Sequence, residues 1–115
     1  MQDGFIIENG KVFFRKDGSD ISPHTLDGVV SVTPGSSGPG CWIGLRNGLS
    51  VSVQWKDGNY CSNRWATKPS NFSPDAEVAV FLRDGSFAHL SEYDDVLGWQ
   101  SVDDVICLIQ IYLSE

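Results

Sequence analysis

The sequence predicts an α+β fold that is mainly antiparallel β, with an all-β sandwich as the alternative, and two observations carry this. Asn9-Gly10, Asn47-Gly48 and Asp84-Gly85 each lie between runs of alternating or β-forming residues. Such dipeptides suit tight hairpin turns, whose central residues adopt positive φ. No segment keeps a helical period over ten residues, so at most two short helices are expected.

The elements follow in order. Phe5 to Glu8 and Lys11 to Phe14 flank Asn9-Gly10 as a first hairpin. Lys16-Asp17-Gly18-Ser19 reads as a turn, and the stretch from Asp20 to Asp27, holding Pro23, as at most one helical turn. Gly28 to Val32 reads as a short strand at a sheet edge, ended by Pro34. Gly35 to Gly40 is a turn-forming connector. Trp42, Gly44 and Arg46 alternate with Ile43 and Leu45, and beyond Asn47-Gly48 the residues Leu49, Val51 and Val53 alternate with serines, a second hairpin with a two-residue turn. Trp55 to Asp75 has neither period and contains Gly58, Pro69 and Pro74. Long loops in compact domains are functional or disordered, and the aromatic residues here favour an ordered one. Val78 to Leu82 and Ser86 to Leu90 make a third hairpin around Asp84-Gly85, and Val105 to Leu113 reads as a central strand buried on both faces.

Composition bounds the function. The 115 residues, 41% hydrophobic and 20% charged, suit one globular domain over residues 1–115. The net charge of −7 and pI near 4.5 argue against nucleic acid and anionic membrane surfaces as partners. No apolar run reaches membrane-span length, and the polar start Met1-Gln2-Asp3-Gly4 is unlike a signal peptide, so an extracellular protein would here be in mature or trimmed form. Three cysteines allow one internal bridge and one spare thiol, or three reduced buried side chains.

Trp42-Ile43-Gly44-Leu45, Trp55-Lys56-Asp57-Gly58, Asn63-Arg64-Trp65 followed by Pro69, the strand Val78 to Phe81 and Val105-Ile106-Cys107-Leu108 occur in the order of the C-type lectin-like motifs. Residues 41–110 thus resemble a degenerate C-type lectin-like domain. The family has two helices before the Trp-Ile-Gly-Leu strand. Between Phe14 and Trp42 lie five glycines and three prolines, so the helical layer is expected to be reduced or missing. The family's closing-strand cysteine implies that Cys107 pairs with Cys41, a bridge worth about 4 kcal/mol in the chain-entropy picture. The spare thiol, Cys61, then leaves an intermolecular disulfide or a homo-oligomer open. Trp42, Trp55 and Trp65 are expected in the core, and Tyr60 and Phe72 either in the core or at the surface.

The resemblance also implies what is lost. The family's Glu-Pro-Asn calcium motif corresponds to Lys68-Pro69-Ser70, and neither Phe87-Ala88-His89 nor Trp99-Gln100-Ser101 supplies its Asn-Asp pair. Ca²⁺ takes 6–8 oxygen ligands, and an ammonium in place of a carboxylate repels it. No metal and no cofactor is therefore expected. Asp94-Asp95 and Asp103-Asp104 are read as solvated turn residues rather than as another cation site. His24 and His89 carry no local nucleophile motif, so no catalytic residue is assigned. The expected function is an extracellular, non-enzymatic binding or adhesion module. It recognises a protein or glycan without calcium through the loop 60–75, with Tyr60, Asn63, Trp65, Lys68, Ser70, Asn71 and Phe72 as ligand-binding candidates. The alternative is a structural, self-assembling subunit, suggested by the hairpins, the edge strand and the spare cysteine.

Overall fold

Two antiparallel sheets and one C-terminal helix surround a single apolar core in the computed structural model, which describes residues 2–68, 70–90 and 95–114. The first sheet has the order β3-β2-β1-β7, from Gly4–Glu8 (β1), Lys11–Lys16 (β2), Ser19–Ile21 (β3) and Phe72–Ser73 (β7). The second has the order β4-β5-β6-β8-β9, from Val29–Pro34 (β4), Gly40–Leu45 (β5), Ser50–Gln54 (β6), Ala76–Phe81 (β8) and Val96–Gln100 (β9). The helix α1 spans Val102–Leu113.

Local chemistry sets the hairpins. Asn9 (φ 51°) and Gly10 (φ 74°) form the two-residue β1–β2 turn, with Glu8 opposite Lys11. Asp17 (φ 52°) and Gly18 (φ 80°) do the same between β2 and β3, so the expected turn at Lys16–Ser19 closes a hairpin. The β5–β6 turn differs from expectation. Only Gly48 (φ 88°) takes the left-handed conformation there, while Leu45 N–H donates to Leu49 O and Gly48 N–H to Leu45 O. The loop is thus three residues, Arg46 to Gly48, because the Asn47 side chain is engaged elsewhere. It accepts from Leu49 N–H and donates to Tyr112 O at the end of α1. The third expected hairpin is partial: Ala88 N–H donates to Val80 O and Phe87 bridges Phe81, after which β9 takes over the same edge of β8.

Alternation decides what is inside. Cys41, Ile43 and Leu45 on β5, Val51 and Val53 on β6, and Val78 and Val80 on β8 face the core, opposite Phe5, Val12 and Phe14 of the first sheet. Trp55 is fully buried and stacks on Phe5 at 5.6 Å. Trp42 and Trp65 are not core residues, contrary to expectation, being 42% and 83% exposed. Trp42 lies between two inward-facing positions and so must point outward, and Trp65 lies on a turn.

The expected central strand at Val105 to Leu113 is a helix. Ser101 Oγ accepts from Asp104 N–H at 3.1 Å and Asp104 Oδ2 accepts from Ser101 N–H at 2.9 Å, a reciprocal capping box. Val102, Val105 and Ile109 then share the buried face at helical spacing. Asp103 and Asp104 lie at the positive end of the helix dipole, and Asp103 also pairs with Lys16. Leu113 packs over Gly28 (φ 81°), where a side chain would collide with it. Among the described residues no α-helix precedes Trp42, where Pro23–Thr25 forms one 3-10 turn, and no helix is long and apolar enough to cross a membrane. As expected, β4 is a sheet edge. A bulge between Val29 and Ser31 and the terminal Pro34 interrupt it, features that limit pairing with another chain.

The helix also corrects the expected disulfide. Cys41 points into the core, Cys107 lies on the exposed side of α1, and all three thiols are free. Cys61, expected to be the spare thiol for an intermolecular link, is only 1% exposed. Burial pushes the Cys41 thiol up to about 12 and raises that of Cys61. Thiolate is the reactive form. Iodoacetamide at neutral pH is therefore expected to label Cys107 in the native protein, with Cys41 slower by about 10³-fold or more, as global opening would set, and Cys61 between the two, as opening of its loop would set. Peptide mapping that finds Cys41 labelled alongside Cys107 would contradict this burial.

Candidate functional site

The stretch between β6 and β7 is ordered by its own polar groups. Trp55 anchors its start, donating from Nε1 to Asn71 O at 3.0 Å, an oxygen that also accepts from Ile7 N–H of β1. Asn63 Nδ2 donates to Trp55 O at 2.9 Å and Phe72 O at 3.0 Å, tying the two ends of the loop together. Two carboxylates at the edge of β8 hold the middle. Glu77 accepts from Tyr60 N–H at 2.7 Å, and Asp75 accepts from both the N–H and the hydroxyl of Ser62 at 2.6 Å. Charge-assisted bonds of this kind are among the stronger ones, and they tie the loop to β8. Tyr60 O accepts from Trp99 N–H at 2.8 Å, joining the loop to β9.

This framework holds an aromatic and cationic ridge at the surface. The Arg64 guanidinium lies 4.3 Å from the Tyr60 ring centroid and 5.0 Å from that of Trp65, and Nη1 donates to Gly58 O. The Tyr60 and Trp99 rings are 5.9 Å apart. Trp99 is 54% and Tyr60 39% exposed. Trp99 also has φ 52°, a left-handed conformation rare for a bulky residue. Such strain costs about 1–3 kcal/mol and persists where the surroundings impose it. Here the Trp99 N–H bond to Tyr60 and the close packing of Gly98 under the Tyr60 side chain do so.

The sequence candidates divide into groups. Tyr60 and Trp65 meet on the ridge through Arg64. Lys68 and Ser70 line a separate groove of about 190 Å³, whose walls also include Ser37 and Lys56. Asn63 reaches that groove, but both of its amide hydrogens are bonded internally, so it positions the loop. Asn71 contributes its carbonyl to the Trp55 anchor. Phe72 is half-buried in β7, against Gly4 and with the Arg15 guanidinium 6.0 Å from its ring centroid. The ligand-binding candidates read from the sequence include neither Arg64 nor Trp99, although Trp99 reads there as one of the aromatics near the loops. The Gly98-Trp99 pair was the available signal for the second, since a glycine beside an aromatic marks a close approach within a strand.

Other groups do not converge on chemistry. His89 Nδ1 lies 2.7 Å from Asp95 Oδ1 at the surface, and His24 lines a cleft of about 430 Å³ between the β1–β2 turn and β4. Asp103 and Asp104 serve the helix N-terminus and Lys16, apart from Asp95, while Asp94 lies outside the described residues. Among the described residues no group of three or more His, Cys, Asp or Glu side chains is placed to hold a metal ion. A second exposed aromatic group, Trp42, Phe81 and Phe87, crosses the outer face of the second sheet with ring centroids 5.1 and 4.4 Å apart. No known protein family, no curated protein and no solved structure matches the chain.

Proposed function

We propose that this chain is a non-enzymatic, extracellular binding module of degenerate C-type lectin-like type, which recognises a protein or glycan without calcium through the Trp99–Tyr60–Arg64–Trp65 ridge. The supporting observation is Trp65, 83% exposed yet held by Arg64 at 5.0 Å. A large exposed ring offers apolar area to a partner, and aromatic and arginine side chains dominate binding hot spots. Strain at Trp99 fits the same reading, because a half-exposed ring gains little core burial to offset it. The loop's internal carboxylate bonds remove the need for a cation to order it. The self-assembling alternative has less support, given the bulge and proline on β4.

A glycan array and a pull-down with the wild-type chain identify the ligand, and Trp65→Ala is then compared on it. The variant is expected to bind at least about tenfold more weakly, a hot-spot-sized loss. Its melting temperature should change by no more than about 2 °C, because the side chain is solvated. Chelator should leave wild-type binding unchanged. Full binding by Trp65→Ala would reject the ridge, and loss of wild-type binding in chelator would reject calcium independence.

A further inference from the structure

We propose that the groove beside the ridge takes the anionic group, a carboxylate or sulfate, of an acidic saccharide, with Lys56 and Lys68 supplying the charge. The inference rests on the binding-module reading and names its ligand class. The first observation is the distribution of cations. The chain has 15 acidic and 8 basic side chains. Arg15, Lys16 and Arg46 pair with Asp20, Asp103 and Asp27. The other five have no carboxylate within ion-pair distance among the described residues, and three of them, Lys56, Arg64 and Lys68, lie on the long loop, while Lys11 and Arg83 lie elsewhere. Two of these, Lys56 and Lys68, line one groove with a single carboxylate, Asp57, a net positive site in a chain of net charge −7.

The second observation is the cavity. At about 190 Å³ the groove suits one compact anionic group rather than a chain of them. Lys56 Nζ sits 3.4 Å from Ser37 Oγ on one wall and Lys68 lies on another, with Asp57 also present but unpaired with either ammonium. Ala66, which lines the groove, is joined directly to Trp65, whose indole is exposed. A pyranose ring offers an apolar face to such a ring and hydroxyls to Ser37.

Charge density selects against other anions. Acidic peptides and nucleic acids bring many charges close together, and the surrounding −7 repels them over roughly a Debye length, about 8 Å at physiological salt. A saccharide with a single acidic group gains the two lysines and avoids most of that repulsion.

The test is titration of the full chain, by NMR or calorimetry at low ionic strength, with methyl glucuronide, methyl glucoside, galactose 6-sulfate, galactose and inorganic sulfate. At least one acidic sugar is expected to bind about tenfold or more tighter than its neutral counterpart. The double variant Lys56→Gln/Lys68→Gln should abolish the difference, and added salt should shrink it. Equal affinity for acidic and neutral sugars, binding of neither, or preference surviving in the double variant overturns the proposal, as does inorganic sulfate binding as tightly as the sulfated sugar. Trp65→Ala separates the two readings. Acidic-sugar binding that survives this variant but not the lysine variant refutes the ridge and keeps the groove. Binding lost in Trp65→Ala but retained in the lysine variant does the reverse.

Discussion

Replacing Trp55 by alanine is expected to lower the unfolding free energy by about 4 kcal/mol, in the range for large-to-small aromatic substitutions in a core. The indole is fully buried, stacks on Phe5, and donates to Asn71 O. Its loss opens a cavity where the two sheets meet and frees the start of the long loop. Asn71 O keeps its bond from Ile7 N–H, so no carbonyl is orphaned there and the packing loss dominates. Trp55→Phe retains a ring against Phe5 and should lose about half as much. Total stabilities are about 5–15 kcal/mol, so the alanine variant should be marginal or unfolded. Urea denaturation measures both variants. A loss below about 1.5 kcal/mol for Trp55→Ala would show that the two sheets do not depend on this contact.

Asn63→Ala should have the second-largest effect, about 2–3 kcal/mol, with a different distribution. Two hydrogen bonds are removed, to Trp55 O and Phe72 O. Phe72 O still accepts from Ser70 Oγ, but Trp55 O is left without its side-chain donor at the base of the loop, and an unmet buried polar group costs about 1–3 kcal/mol. The damage should concentrate in residues 56–68 and carry the ridge with it. Hydrogen exchange at the Ser62 and Arg64 amides should accelerate more than at the Val51 and Val80 amides of the second sheet. Binding should fall with loop order, unlike Trp65→Ala, which removes a contact and leaves the loop intact. Asn63→Asp is expected to be no better, because its carboxylate would face two carbonyl oxygens. Uniform acceleration of exchange throughout the chain would mean that Asn63 supports the whole fold and not the loop.

Much of the fold could be read from local chemistry. Asn9-Gly10 closes its hairpin as its φ preferences dictate, and alternation on β5 and β6 places Ile43, Val51 and Val53 inside. The long loop, its Trp55 anchor and the edge strand at Val29–Pro34 were also legible. In each case the information lies within a few consecutive residues. The C-terminal helix was within reach too, through Ser101 and Asp104, but an apolar run fits either a buried strand or a buried helix until the cap is weighed. The Cys41–Cys107 pair implied by the C-type lectin-like resemblance needs Cys107 on a closing strand, and the helix instead puts it at the surface.

What the tertiary structure alone decided are the meetings between distant segments. Asn47 faces two choices, a tight turn or a bond to Tyr112 O, and the nearby end of α1 determines which one it takes. Trp99 is forced into a left-handed conformation by Tyr60, a residue far away in sequence, and no local propensity would place it there. Tyr60 and Trp65 were expected in a binding loop, yet their joining by Arg64 and their continuation to Trp99 depend on Glu77 and Asp75 holding the loop against β8. The sequence by itself determined the β-rich class, the principal hairpins and the alternating core, because these follow from backbone preference and side-chain period. Tertiary structure decided the composition of the site, because a ridge built from loop and strand exists only once long-range hydrogen bonds bring β9 beside residue 60.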